Sequence, residues 1–193
     1  GGLPLGDDER DNIDLLSPYA ADKFALESYA MVSSVTSGLS SIGLRFFNVY
    51  GPRQDPSNPY SGVISIFIKR LLSNQTITIN GGKQTRDFIY VTDIADVISQ
   101  AVQVTSETKI SDTVNVLTGI SVSIDCLADN LMAIINSSSD KAYRALPVGD
   151  PMESNGTIAK LSRLLNMAPS DFVTLNKGLK MTVNDMKSGI ARL

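Results

Sequence analysis

The strongest constraint on the fold is an alternation of two periodicities. Stretches with apolar residues three and four apart give way repeatedly to short runs of branched and aromatic residues. Residues 19–37 contain few breakers and predict a helix, with Ser17 as N-cap, Pro18 in the first turn and Gly38 as the stop. Residues 42–49, IGLRFFNV, predict one buried strand, followed by the polar loop RQDPSNPYSG. Apolar residues at 63, 64, 67, 68, 71 and 72 mark a second helix. Strands at 76–80 and 86–91 flank Gly81-Gly82-Lys83, which reads as a hairpin. Ile94, Val97, Ile98, Ala101 and Val102 define a further helix, and 113–117 a strand. Ser123 opens a helix that turns Ile124, Leu127, Leu131 and Ile135 inward. A strand near 142–146 and helices at 157–166 and 175–187, parted at Pro169, complete the order. Helix and strand in alternation favour an α/β protein with parallel pairing.

Several function classes are disfavoured by what the chain lacks. There is no histidine, the commonest metal ligand and general base, so proton transfer falls to Tyr, Lys or carboxylates, and no metal site is expected. Seventeen Lys and Arg against twenty Asp and Glu give a net charge of -3 with no basic run, which argues against nucleic acid as a partner. No apolar stretch reaches the roughly 18 residues of a membrane span, and no signal-peptide pattern is present. The lone Cys126 excludes an internal disulfide and fits a reducing, cytoplasmic setting; its place in the helix suggests a buried small hydrophobe. GGLPLGDDERDN reads as a surface loop entered midway, and no GxGxxG turn follows a first strand. The expectation is therefore a portion of a longer chain, without the module that grips a dinucleotide pyrophosphate.

Tyr19 and Lys23 stand four apart at the start of the first helix and share one face. An ammonium beside a phenol favours the phenolate, which can then take or return a hydroxyl proton near neutral pH. Alone, the pair reads as easily as a packed tyrosine beside a solvated lysine.

The surrounding residues favour the chemical reading. SPYAADK resembles the YxxxK signature of the extended short-chain dehydrogenase/reductases, the NAD-dependent epimerase/dehydratase family. LRFFNVYGPRQDP, YSGVISIFIKRLL, ITINGG, QTRDFIYVTDIADVI and VNVLTGISVSIDCLADNL then follow in that family's order. The likeness is greatest to bacterial UDP-glucose and UDP-N-acetylglucosamine 4-epimerases. It implies the C-terminal part of a Rossmann-like parallel sheet plus a smaller α/β substrate-binding domain. Residues 1–54 would be a remnant of the NAD-binding domain, carrying the active-site helix and the following strand. Residues 55–193 would be mainly the substrate-binding domain, interleaved with further pieces of the sheet. The implied cofactor is NAD, the implied substrate a UDP-sugar, and the implied assembly a homodimer of the full-length protein.

By the same resemblance, Tyr19 would exchange the proton of the sugar 4-hydroxyl while C4 passes through a transient ketone. Lys23 would bind the nicotinamide ribose, and Phe47 would line the nicotinamide site. Asn48, Gln54, Val63, Asn80 and Arg86 would contact substrate, Arg86 gripping the diphosphate with its planar fork. Without the resemblance, Phe47 reads as core filler, Asn48 as a strand-end cap and Arg86 as a solvated edge charge. Asp93 and Asp96 read as helix-start carboxylates. Pro147 and Met152 stand where the family usually has arginines around its GD pair, here Gly149-Asp150, which weakens one side of the expected diphosphate clamp. The alternatives are a related sugar-nucleotide dehydratase or decarboxylase, or a truncated binding protein without activity. Lacking the cofactor module, the chain alone is expected not to turn over.

Overall fold

The computed structural model describes residues 18–58 and 61–190. Helix α1, Pro18–Ser37, ends where Gly38 turns left-handed (φ 66°) and donates its N–H to the Ser34 carbonyl, 2.9 Å. The expected cap Ser17 lies outside the described residues. The single strand expected over 42–49 is two strands, β1 (Ser41–Phe46) and β2 (Asn48–Tyr50), parted at Phe47. The break has a clear cause. β1 pairs in parallel with β5 (Ser111–Val116), whereas β2 pairs in parallel with β4 (Thr85–Tyr90), so the chain changes partner within one continuous apolar run. The Phe47 N–H completes the first ladder by donating to the Val116 carbonyl at 3.0 Å.

Helix α2, Val63–Leu72, buries Ile64, Phe67, Ile68 and Leu71, as its spacing requires. The hairpin expected around Gly81-Gly82 does not form. β3 (Ile77–Asn80) pairs in parallel with β7 (Lys141–Arg144), while β4 pairs with β2 and, antiparallel, with β6 (Ser121–Ser123). The turn itself sends the strands apart. Gly81 and Gly82 both have positive φ, and the buried Gln84 side chain accepts the Gly82 N–H at 2.6 Å and donates to the Asn80 carbonyl. Both edges that a hairpin would have joined are thereby committed elsewhere.

Helices α3 (Val91–Glu107), α4 (Ile124–Ile135), α5 (Ala159–Leu165) and α6 (Leu175–Ile190) complete the fold, with a single 3-10 turn at Pro169–Asp171. Ser123 caps α4 by accepting the Cys126 N–H at 3.1 Å. Cys126 itself is exposed and not buried as expected, because the inward stripe of α4 runs through Ile124, Leu127, Ala128 and Leu131. On α3, Ile98 and Val102 likewise face outward, while Ile94, Val97 and Ala101 are buried.

The alternating side chains of β4 divide two cores. Phe88 and Tyr90 join Tyr50, Phe67, Ile68, Leu127 and Leu179 on one side, against α2, α4 and α6. Ile89 joins Val97, Val114, Val116, Leu161 and Phe172 on the other, against α3 and α5. Helices on both faces of a largely parallel sheet give the Rossmann-like arrangement, and the β3–β7 pair belongs to the smaller α/β part. Among the described residues, no helix is long and apolar enough to cross a membrane.

Candidate functional site

The ends of β2, β3 and β4 and the start of α2 surround a cleft of about 360 Å³. Its lining includes Asn48, Gln54, Val63, Asn80 and Arg86, all five residues proposed from the sequence to contact substrate, which lie far apart along the chain. Each is set there by a local device. Asn48 opens β2 and donates its side-chain amide to the Asp87 carbonyl at 3.0 Å, so it ties two strands together and is more than a strand-end cap. Val63 begins α2 directly after Gly62, at a helix start that no side chain caps. Asn80 ends β3, and its carbonyl is held by Gln84. Gln54 faces Gly62 across the loop, and among the described residues its buried Oε1 has no hydrogen-bond partner. A buried acceptor without a donor is a place for a ligand N–H or O–H.

Arg86 is not a solvated edge charge. Only 12% of its side chain is accessible, its Nη1 donates to the Thr85 carbonyl at 2.7 Å, and its Nη2 pairs with Asp150. Among the cleft-lining residues it is the one cation and Asp150 the one anion. The next residue, Asp87, points to the opposite face of β4 and is fully buried. Its Oδ1 accepts the Thr118 N–H and hydroxyl, both at 2.9 Å, which fastens the turn leading into β6. Burial pushes this carboxyl above its ordinary range. Asp93 stands in the first turn of α3, as expected of a helix-start carboxylate, and is buried there, accepting the Val173 N–H at 3.0 Å. Its carboxyl is raised by burial too.

Tyr19 and Lys23 line a different and larger groove, about 650 Å³, between α1 and the exposed side of β1. They do share one helix face: the Lys23 ammonium lies 5.4 Å from the Tyr19 ring centre, and Tyr19 is 65% exposed. One turn further along α1, Glu27 takes Arg45 of β1 in a two-pronged pair at 2.8 and 2.7 Å. That pair is nearly shut off from water, with 6% and 17% of the two side chains accessible, and it docks α1 on the strand. Phe47 is half-buried at the β1–β2 junction and lines neither cavity. Among the described residues, none lines both cavities.

Thr78, Gln84 and Asp150 also line the cleft and were not singled out as ligand contacts from sequence. Asp150 was marked only as half of a Gly-Asp pair. Nothing in the periodicity around Gln84 distinguishes it from any turn residue, because its role comes from folding back on its own loop.

The sequence model of the NAD dependent epimerase/dehydratase family matches residues 3–116. The chain belongs to that family. A Methanocaldococcus jannaschii protein provisionally named a UDP-glucose 4-epimerase is 36% identical over 187 residues, covering 96% of this chain and 58% of the relative. The UDP-N-acetylglucosamine 4-epimerase of Methanobrevibacter ruminantium, solved with UDP-N-acetylmuramic acid, superposes with a TM-score of 0.86 at 33% identity. It covers 94% of this chain, which covers 57% of it. The Thermus thermophilus UDP-glucose 4-epimerase, solved with NAD, gives 0.81 at 28% identity, covering 97% and 58%. The chain thus spans a little over half the length of these relatives.

These matches correct one expectation. The Rossmann-like part is not missing from this chain: the family model matches residues 3–116, and the parallel pairs β1–β5 and β2–β4 are its own. The expectation rested on the opening loop and on the absence of one Gly-rich turn. A single short loop does not measure how much of a sheet a chain carries. The expectation of inactivity, which rested on the same absence, loses its ground with it.

Proposed function

We propose that this protein is a nucleotide-sugar 4-epimerase that acts on a UDP-hexose with NAD. The observation that carries the reading is the convergence of Asn48, Gln54, Val63, Asn80 and Arg86 on one cleft, where Arg86 is the one cation among the described residues. A guanidinium facing a cavity with an uncapped helix start nearby suits a diphosphate. The orphaned Gln54 Oε1 suits a sugar hydroxyl or amide N–H.

The donor set of the larger groove fits the nicotinamide-ribose end of NAD. A phenol and an ammonium side by side on α1 match ribose hydroxyls, and Leu44 and Phe46 supply an apolar wall. When bound, NAD supplies a reversible hydride acceptor for C4 of the sugar. Lys23 holds the ribose beside Tyr19. Tyr19 takes the 4-hydroxyl proton as the ketone forms and returns it when the opposite face is reduced. Phe47 borders the nicotinamide in this reading.

The test is to incubate the protein and NAD with UDP-glucose, UDP-galactose and their N-acetyl forms, following C4 configuration by proton NMR. Interconversion of at least one pair is expected, and Tyr19→Phe should lower it by about a hundredfold or more, the usual scale for a lost general acid-base group. A folded protein that binds UDP but yields only a dehydrated sugar would instead make it one of the family's other enzymes.

A further inference from the structure

The cleft holds its own anion. Asp150 sits on the turn 147–152, and its carboxylate takes Nη2 of Arg86. Gly149 adopts a left-handed conformation (φ 85°) with open space around it, and the Asp150 N–H donates to the Pro147 carbonyl at 3.1 Å. The far end of the turn hangs from the residue beside Arg86: the Thr85 N–H donates to the Met152 carbonyl at 2.9 Å, and the Ser154 N–H to the Thr85 carbonyl at 3.2 Å. Asp150 is 38% accessible against 12% for Arg86, so the carboxylate stands at the mouth and the guanidinium behind it.

We propose that Asp150 is a displaceable stand-in for phosphate, and that a diphosphate ligand must lever it off Arg86 to bind. This rests on reading the cleft as the nucleotide-sugar site. The Thr85 carbonyl takes one N–H of Nη1 and Asp150 one of Nη2, so the carboxylate already stands on the donors at the mouth that a phosphate would meet first. A carboxylate and a diphosphate repel, and they cannot share those donors in a half-buried site without a large Coulombic cost. The diphosphate wins because it carries more charge and more acceptor oxygens. The empty cleft is thereby kept neutral, and a ligand without phosphate leaves the pair intact.

The experiment compares UDP and uridine by titration calorimetry on the wild type, Asp150→Asn, Asp150→Ala and Arg86→Ala. Both Asp150 variants are expected to bind UDP about threefold to tenfold more tightly, a shift on the order of one exposed ion pair. Uridine affinity should stay within about twofold, because it makes no demand on Arg86. Unchanged or weaker UDP binding in the Asp150 variants overturns the proposal and makes Asp150 a bystander or a ligand contact. Arg86→Ala separates the two levels: if it binds UDP as well as the wild type does, the site reading falls and the latch with it. A measurement free of substitutions is hydrogen exchange on the wild type. The amides of Val148, Gly149, Asp150 and Met152 should exchange faster with saturating UDP and unchanged with uridine; slower or unchanged exchange with UDP refutes the latch.

Discussion

Gly178 offers the sharpest test of the packing that supports the cleft. It lies on α6 against Tyr50 and Tyr90, and a Cβ at this position would sit 2.1 Å from the Tyr50 hydroxyl oxygen, 2.9 Å from its Cζ and 3.0 Å from Tyr90 Cδ2. Comfortable contact needs about 3.5 Å, so α6 or the Tyr50 ring must retreat by roughly 1 Å or more. Both belong to the core behind β2 and β4, and neither has slack. Overpacking of this kind costs about 3 kcal/mol, and alanine returns about 1 kcal/mol of helix propensity, leaving Gly178→Ala less stable by about 2 kcal/mol. Gly189, on the same helix with nothing within 4 Å, is the control, since Gly189→Ala gains propensity alone. Tyr50→Phe removes the oxygen that clashes. Its own cost is small, because the hydroxyl makes only a long 3.4 Å bond to the Leu175 carbonyl. The double variant keeps the contacts at 2.9 and 3.0 Å, so relief is partial, with a favourable coupling of about 1 kcal/mol. Urea unfolding of the four variants measures it. If Gly178→Ala is as stable as Gly189→Ala, or the double variant is additive within about 0.5 kcal/mol, the close approach of α6 to Tyr50 is wrong.

Removing Glu27 by Glu27→Ala leaves the Arg45 guanidinium nearly buried without its partner, and chemical denaturation should register a loss of about 3 kcal/mol. Asp87 and Asp93 both have carboxyls raised by burial, so each binds a proton more tightly folded than unfolded. Stability contributed this way is present at low pH and falls as pH rises from the unfolded value, about 4, through the folded one. Thermal melts of Asp87→Asn from pH 3 upward should therefore show a shallower decline than the wild type over that window. An unchanged slope would mean that Asp87 is solvated.

The sequence carried the order of elements well, because helical and strand periodicities are local properties that survive without tertiary knowledge. It failed where one local pattern serves two partners. The run IGLRFFNV is apolar throughout, yet β1 and β2 within it answer to β5 and β4, and no periodicity marks the change at Phe47. Gly81-Gly82 signals a turn but not which strands it joins; Gln84 folding onto that turn sends β3 toward β7 instead. Cys126 was misread although its position was legible, since it falls off the stripe through Ile124, Leu127 and Leu131. The five cleft residues could be named only through resemblance, because nothing between Asn48 and Arg86 announces that they meet. Asp150 was visible as half of a Gly-Asp pair, but its hold on Arg86 spans 64 positions and belongs to the folded chain alone.

Strand β4 makes one backbone register decide the polarity of a binding surface. Arg86 opposes Val122 and Asp87 opposes Ser121 across the antiparallel ladder. Sliding that strand by a single residue would aim a carboxylate into the cavity and drive a guanidinium into hydrocarbon. Faithful pairing of β4 therefore decides which sign of charge the cleft presents.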